Sequence, residues 1–335
     1  MVSETPPSTR RVGDTSRGEV GNQGRRCLWS WVERLTGGRW SSRPGRLSLD
    51  HTGNAPGTTW GAELPFIRHC HDPGRGYVRV GIHLGVLTKT NRTLEDLWRT
   101  ASPCEAYFDP ATVMGLPEPA RRYLLHTLAP GAPLSTCVRI TMTGSIRLGA
   151  AWCPFEAEQV IRWERGFVWS AKARVKGLPV TGADSFVDDQ GSMRWRILGI
   201  FPVMRADGPD ISRAAAGRLH AEVMWVPAAL LGPDVAWTSI EGQPQVSIHA
   251  HGEDSELTLH LTPDGGIQTL SLPRWGDQNT GTFGYRPFGG YVSEDKNFGG
   301  ITLPTRYRIG WDFGTDKFES EGEFFRCTLL TVVYR

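Results

Sequence analysis

From Val138 onward apolar side chains return at every second position, and this alternation decides what the chain can fold into. Val138, Ile140, Met142, Ile146 and Leu148 fall on one side, and Arg139, Thr141, Thr143 and Arg147 interrupt them. Phe155, Ala157, Ile161 and Trp163 oppose Glu156, Glu158, Arg162 and Glu164. Phe167, Trp169, Ala171, Ala173 and Val175 oppose Ser170, Lys172, Arg174 and Lys176, and Met193, Trp195 and Ile197 oppose Arg194 and Arg196. Successive side chains of a strand point to opposite faces, so each run reads as a half-buried antiparallel strand. Val246, Ile248 and Ala250 face Leu257, Leu259 and Leu261 across a turn expected at 252–255. Thr262-Pro263-Asp264-Gly265-Gly266 is a further hairpin signal. Ile301, Leu303, Tyr307, Ile309, Trp311 and Phe313 form the longest alternating run. Phe324 to Tyr334 is apolar on both sides, which predicts a central strand covered on both faces.

Two segments break the alternation. Leu116 to Leu124 reads as a helix start, with proline in the first turn and Tyr123, Leu124 and Leu128 turned inward. Residues 212–231 read as a second helix. Ser212 is the expected cap, Leu219, Val223 and Val226 share a face, and Pro227 ends or kinks the helix near Val226. The sum is about nine or ten strands and one or two helices. The fold class is therefore α+β, mostly β: a curved antiparallel sheet, a half-barrel wrapped on one central helix at 212–231. No internal repeat of a propeller or solenoid is present.

Composition sets the domain limits. Only 39% of the 335 residues are hydrophobic, and Gly and Pro number 40 and 23. Residues 1–100 carry 15 Lys+Arg against 9 Asp+Glu, whereas the remainder carries 22 against 26. The basic, Gly/Ser/Pro/Arg-rich segment 1–105 lacks a sustained apolar period and reads as a disordered arm. Short apolar patches such as Leu28 to Trp31 and Tyr77 to Leu87 are expected to order locally. The same facts fit a start placed too far upstream, with Met114 the next methionine before the alternating region. Residues 106–335 read as one β-rich domain.

The arginines are scattered among acids and the net charge is only +2, so no basic field points to nucleic acid. The first residues include Glu4, Pro6 and Pro7, unlike a secretory leader. The longest apolar stretch, Val223 to Leu231, is too short to cross a bilayer. The expectation is a soluble, cytoplasmic chain. Its six cysteines lie far apart with no Cys-x-x-Cys pair, which predicts free thiols.

No phosphate-loop, zinc-protease or nucleophile-elbow motif is present, so no cofactor is expected. His249, His251 and His260, with Glu256, are the best metal-like set, because histidines two apart on a strand point the same way. With a turn between Glu253 and Asp254, position 249 pairs with 258 and 251 with 256. Those side chains then occupy the wet face of the sheet, which favours a solvated polar surface over a metal. His69-Cys70-His71 is a weaker set in the arm. On the helix, Arg218 and Glu222 are i, i+4 neighbours, so Glu222 is either one half of a structural ion pair or an acid/base group assisted by His220 or Asp207. Trp163, Trp169, Trp195 and Trp311 fall on apolar strand faces and Trp225 on the helix. Such rings fill a core or line an apolar pocket.

Leu116-Pro-x-x-x-Arg-Arg-Tyr-Leu124, Phe167-Val-Trp-Ser-Ala171, Gly217 to Leu231, Val235-Ala-Trp237 and Gly300-Ile-Thr-Leu-Pro304 resemble a bacterial domain-of-unknown-function family. Its hallmark is a helix ending Glu-x-x-Trp-x-Pro-x-Ala-Leu-Leu, here Glu222, Trp225, Pro227, Ala229, Leu230 and Leu231. The resemblance spans about 110–335, and His220 departs from the apolar or aromatic residue expected there. It implies no activity, and its shape is similar to half-barrel sheets that carry lipoproteins or lipids. The expected partner is a hydrophobic small molecule or acyl chain held between sheet and helix. Trp169, Trp195, Trp225 and Trp311 would line the site, with Arg218 and Glu222 at its polar mouth. An enzyme using Glu222, or an interaction domain without a ligand, are the alternatives.

Overall fold

The computed structural model describes residues 93–277 and 281–335. The patches at 28–31 and 77–87 and the set His69-Cys70-His71 lie outside them. One antiparallel meander comprises β1 (Cys137–Leu148), β2 (Ala151–Arg162), β3 (Gly166–Val175), β4 (Leu178–Val187), β5 (Gln190–Ile197) and β6 (Phe201–Asp207). A second comprises β7 (Val235–Ile240), β8 (Gln243–Ala250), β9 (Glu253–Leu261), β10 (Ile267–Gly276), β11 (Gly284–Phe298), β12 (Ile301–Trp311) and β13 (Glu323–Tyr334). Pairing of β1 with β13 joins them into one 13-stranded sheet, with β6 at one edge and β7 at the other. That is more strands than alternation alone revealed. The sheet curves around a central helix, α2 (Pro209–Ala221), which runs from β6 to β7 and packs against strands of both meanders.

Pro209 opens α2, Asp210 sits in its first turn, and Arg218 and His220 in its last, an arrangement matched to the helix dipole. Gly208 is the residue at the N-cap. The expected cap, Ser212, lies inside the helix, where its hydroxyl accepts from the Gly191 amide. The α-helix stops at Ala221, a turn before Pro227, and continues as 310 turns Val223–Trp225 and Pro227–Leu231. Ala216, Leu219, Ala221, Val223, Trp225 and Leu230 are all buried. Each large apolar side chain of this set contributes about 1.5–3 kcal/mol by leaving water. A second helix, α1 (Glu118–Thr127), buries Tyr123 and Leu124 in the same core, with the Tyr123 ring 6.0 Å from that of Trp237.

β13 is central, as its composition predicts, but it is not covered on both faces. Cys327 and Leu329 are buried, whereas Leu330 and Val333 are about half exposed on the convex face. The convex face gains its cover elsewhere. Residues 93–99 are helical, and Leu94, Leu97 and Ala101 bury themselves against Cys137, Val160 and Val168. The Glu95 carboxylate and the Trp98 ring both engage Arg139 there. Packing thus begins upstream of residue 106.

Candidate functional site

A row of concave-face residues crosses the first meander: Gln159 on β2, Trp169 on β3, Asp184 on β4 and Met193 on β5, each directly opposite the next. The last turn of α2 lies over this row. Arg218 Nε donates to Glu222 Oε1 at 2.7 Å, and its Nη1 to Asp184 Oδ2 at 3.2 Å. Trp195 Nε1 donates to Asp184 Oδ1 at 2.9 Å, and Gln159 Nε2 to Glu222 Oε2 at 2.6 Å. The Arg218 guanidinium also lies over the rings of Phe167 and Trp169, 4.7 and 5.2 Å from their centres. Burial raises the Asp184 carboxyl above its ordinary range, and Arg218 and Trp195 oppose that rise. Burial works against the Arg218 charge, but Glu222 and Asp184 outweigh it and hold the guanidinium above its usual value. These three side chains keep 19% (Arg218), 16% (Asp184) and 14% (Glu222) of their surface accessible, so they border a space that solvent reaches.

Arg274, on β10, approaches the cluster from the other meander. Its aliphatic stem crosses α2 at Gly217, where a β-carbon would lie 3.2 Å from Arg274 Cγ; a glycine in mid-helix is explained by that crossing. Its Nε and Nη2 donate to the Ala214 carbonyl at 3.3 and 3.0 Å, and its guanidinium lies over Phe288 and Trp311. Burial, and then Arg218 beside it, push the Arg274 guanidinium below its ordinary value. Arg286 stands directly across from Arg274 in the β10–β11 pairing, and its Nε is buried without a hydrogen-bond partner. Among the described residues neither arginine has a carboxylate at ion-pair distance. Trp169 Nε1 and Gln159 Oε1 are likewise buried without partners. Among the described residues this cluster therefore sets three arginines, Arg218, Arg274 and Arg286, against two carboxylates, Asp184 and Glu222.

The charged row separates two kinds of interior. On one side Ile140, Ile161, Leu219, Val223 and Val246 are fully buried core. On the other, Ile146, Ile197, Ile309, Trp311 and Phe325 pack on the core yet remain partly accessible. The concave face therefore carries both fully buried and partly accessible apolar side chains.

The tryptophans differ in exposure. Trp311 is partly accessible beneath the Arg274 guanidinium, and Trp169 and Trp195 are buried beside Arg218 and Asp184. Trp195 folds across Gly182, where a β-carbon would strike the ring. Trp225 is buried, donating to Tyr307 Oη at 2.7 Å. Arg218 and Glu222 stand inside the concavity, held by Asp184 and Gln159. Of the groups expected to assist Glu222, His220 bonds Ser255 through Nδ1, and Asp207 pairs with Arg194. Both Glu222 oxygens accept hydrogen bonds from Arg218 and Gln159, a geometry that fixes a carboxylate in place.

The three expected metal-like histidines do not converge. The β8–β9 turn is His251-Gly252, both at positive φ, so 249 pairs with 254 and 247 with 256, four residues from the expected register. His249 pairs with Asp254 in solvent, and His260 is exposed. His251 turns inward against Trp163, Phe186 and His220. Among the described residues no group of three His, Cys, Asp or Glu is placed to hold a metal ion.

Sequence reasoning missed Gln159, Asp184, Arg274 and Arg286. Only Gln159 carries a signal, as a polar residue at a position the β2 alternation assigns to the concave face.

A family described as a family of unknown function (DUF6544) matches residues 106–320. No curated protein matches the chain. Among solved structures it is similar to a DUF1329 family protein from Desulfovibrio piger, at 10% identity and TM-score 0.35, covering 60% of this chain and 86% of that one. A LolA superfamily protein from Nitrosomonas europaea matches at 8% identity with the same TM-score and coverage. A putative outer membrane lipoprotein-sorting protein domain from Vibrio parahaemolyticus matches at 6% identity and TM-score 0.29, over 65% of this chain and 91% of that one. No helix among the described residues is long and apolar enough to cross a membrane.

Proposed function

Because the chain belongs to the DUF6544 family, whose description assigns no function, we propose a role from its own geometry: the half-barrel binds an amphipathic small molecule. The apolar body of the ligand lies against the partly accessible apolar side chains of the concave face, and its acidic group faces Arg274 and Arg286. One observation carries this reading. Partly accessible apolar side chains of the concave face, among them Trp311 beneath Arg274, share it with two inward arginines that lack a carboxylate partner among the described residues. Removing apolar surface from water supplies affinity, and a charge-assisted bond to guanidinium supplies orientation.

The test is binding of a fluorescent long-chain carboxylate and of its uncharged alcohol analogue to the full chain. Lipid extraction and mass spectrometry of the purified protein accompany it. The carboxylate binds at least about tenfold more tightly than the alcohol, the minimum difference one charge-assisted contact supplies. Failure of either probe to bind, together with an empty extract, overturns the reading.

A further inference from the structure

We infer that the tips of the β3–β4 and β5–β6 hairpins form a docking surface for an anionic lipid bilayer. Residues 171–183 and 193–206 contain Lys172, Arg174, Lys176, Arg194, Arg196 and Arg205 and not one Asp or Glu. The two tips touch, since the Leu198 amide donates to the Pro179 carbonyl at 2.8 Å. Together they expose Leu178 (45%), Leu198 (44%), Ile200 (48%) and Phe201 (58%), four large apolar side chains in one place. Arg194 and Arg205 share Asp207, whereas Lys172, Arg174 and Arg196 form no ion pair among the described residues.

An apolar point flanked by cations matches the boundary between acyl chains and phosphate headgroups. The point enters below the headgroups and the cations stay at their level. A nucleic acid would satisfy the cations but would leave the four apolar side chains in water. Both tips are short turns through residues at positive φ, Lys176-Gly177 and Leu198-Gly199. Their position also fits a lipid surface. Val180 and Ile197, the concave-face residues immediately inside the tips, are paired across β4 and β5, so the tips lie on the rim of the concave face. Docking stands on the tips alone and does not require a ligand inside.

The experiment is co-sedimentation of the full chain with vesicles of phosphatidylcholine alone and of phosphatidylcholine with about a third phosphatidylserine. Wild type binds the anionic vesicles, and added salt weakens the binding. Ile200→Ser/Phe201→Ser and Lys172→Glu/Arg174→Glu each reduce it more than about tenfold. All four positions are exposed, so circular dichroism and melting temperature remain those of wild type. Carboxylate-probe binding also persists in both variants, which separates this surface from the interior site. Equal binding to both vesicle types, no vesicle binding, or wild-type binding by the Ile200→Ser/Phe201→Ser chain overturns the inference.

Discussion

Arg274 and Arg286 face one another across β10 and β11, and no carboxylate stands between them. Burial works against the Arg274 charge, and Arg218 beside it works the same way. Arg274→Met therefore leaves the empty protein as stable as wild type, or up to about 1 kcal/mol more stable. The same change weakens the long-chain carboxylate about tenfold and leaves the alcohol analogue unaffected. Urea denaturation and probe titration of one variant read both effects. Lower stability with unchanged carboxylate affinity would show that Arg274 serves packing alone.

Arg218 is the opposite case. It bonds both Asp184 and Glu222, and its removal leaves two carboxylates facing each other in the interior. Arg218→Met costs about 3–5 kcal/mol, the range for breaking a largely buried pair. Asp184→Asn introduced into that variant restores part of the loss, because one of the stranded charges is gone. Thermal melts of the four chains of this cycle give the coupling. Strict additivity would remove the ion pairs as its cause.

His220 predicts acid sensitivity. Burial, then the neighbouring His251, push its imidazole down to about 3, against 6.5 for an unconstrained histidine. The unfolded chain thus takes up a proton before the folded one. Stability is complete above about pH 6.5 and declines toward about pH 3, by up to ~1.4 kcal/mol per pH unit for this group. Urea midpoints at pH 7.5 and 5.0 measure the loss, and His220→Asn flattens it. Glu323 enters only at lower pH. Burial alone would raise it, but hydrogen bonds from Arg326 and Arg308 bring it down to about 2, so its contribution fades between about pH 4.5 and 2. A wild-type slope retained by His220→Asn between pH 7.5 and 5.0 would place the sensitivity elsewhere.

Leu97 tests where the folded unit begins. It is buried against Cys137, Val160 and Val168 on the convex face. Leu97→Ala costs about 2–3 kcal/mol, and a chain starting at residue 106 is destabilised by at least as much. Equal melting temperatures for chains starting at 93 and 106 would show that this contact adds nothing.

The strands most legible in the sequence are those whose inward positions are all apolar, such as β3 with Phe167, Trp169, Ala171 and Ala173. β4 was illegible for a physical reason. Its inward positions include Gly182, kept small by the Trp195 ring, and Asp184, kept acidic by Arg218, so its alternation is erased by the site itself. β7 is a sheet edge with little buried, and carries a correspondingly weak pattern. The Arg218–Glu222 pair was visible because helical spacing is local. Gln159, Asp184 and Arg274 join it only through pairings across the sheet, which depend on register. The β8–β9 register shows the same limit. The parity of its two faces was readable, but the position of the turn was not, and that decided where His251 points.

The pairing of β1 with β13 has a consequence for synthesis. Each meander joins strands that follow one another in the chain, so most of the sheet can zip from local hairpins as it emerges. The seam between them cannot. Its two strands are the first and the last of the described sheet. Until β13 docks, β1 and β12 both present unpaired backbone at what becomes the middle of the sheet. A chain in which every other strand has formed but β13 has not is thus the species most exposed to aggregation.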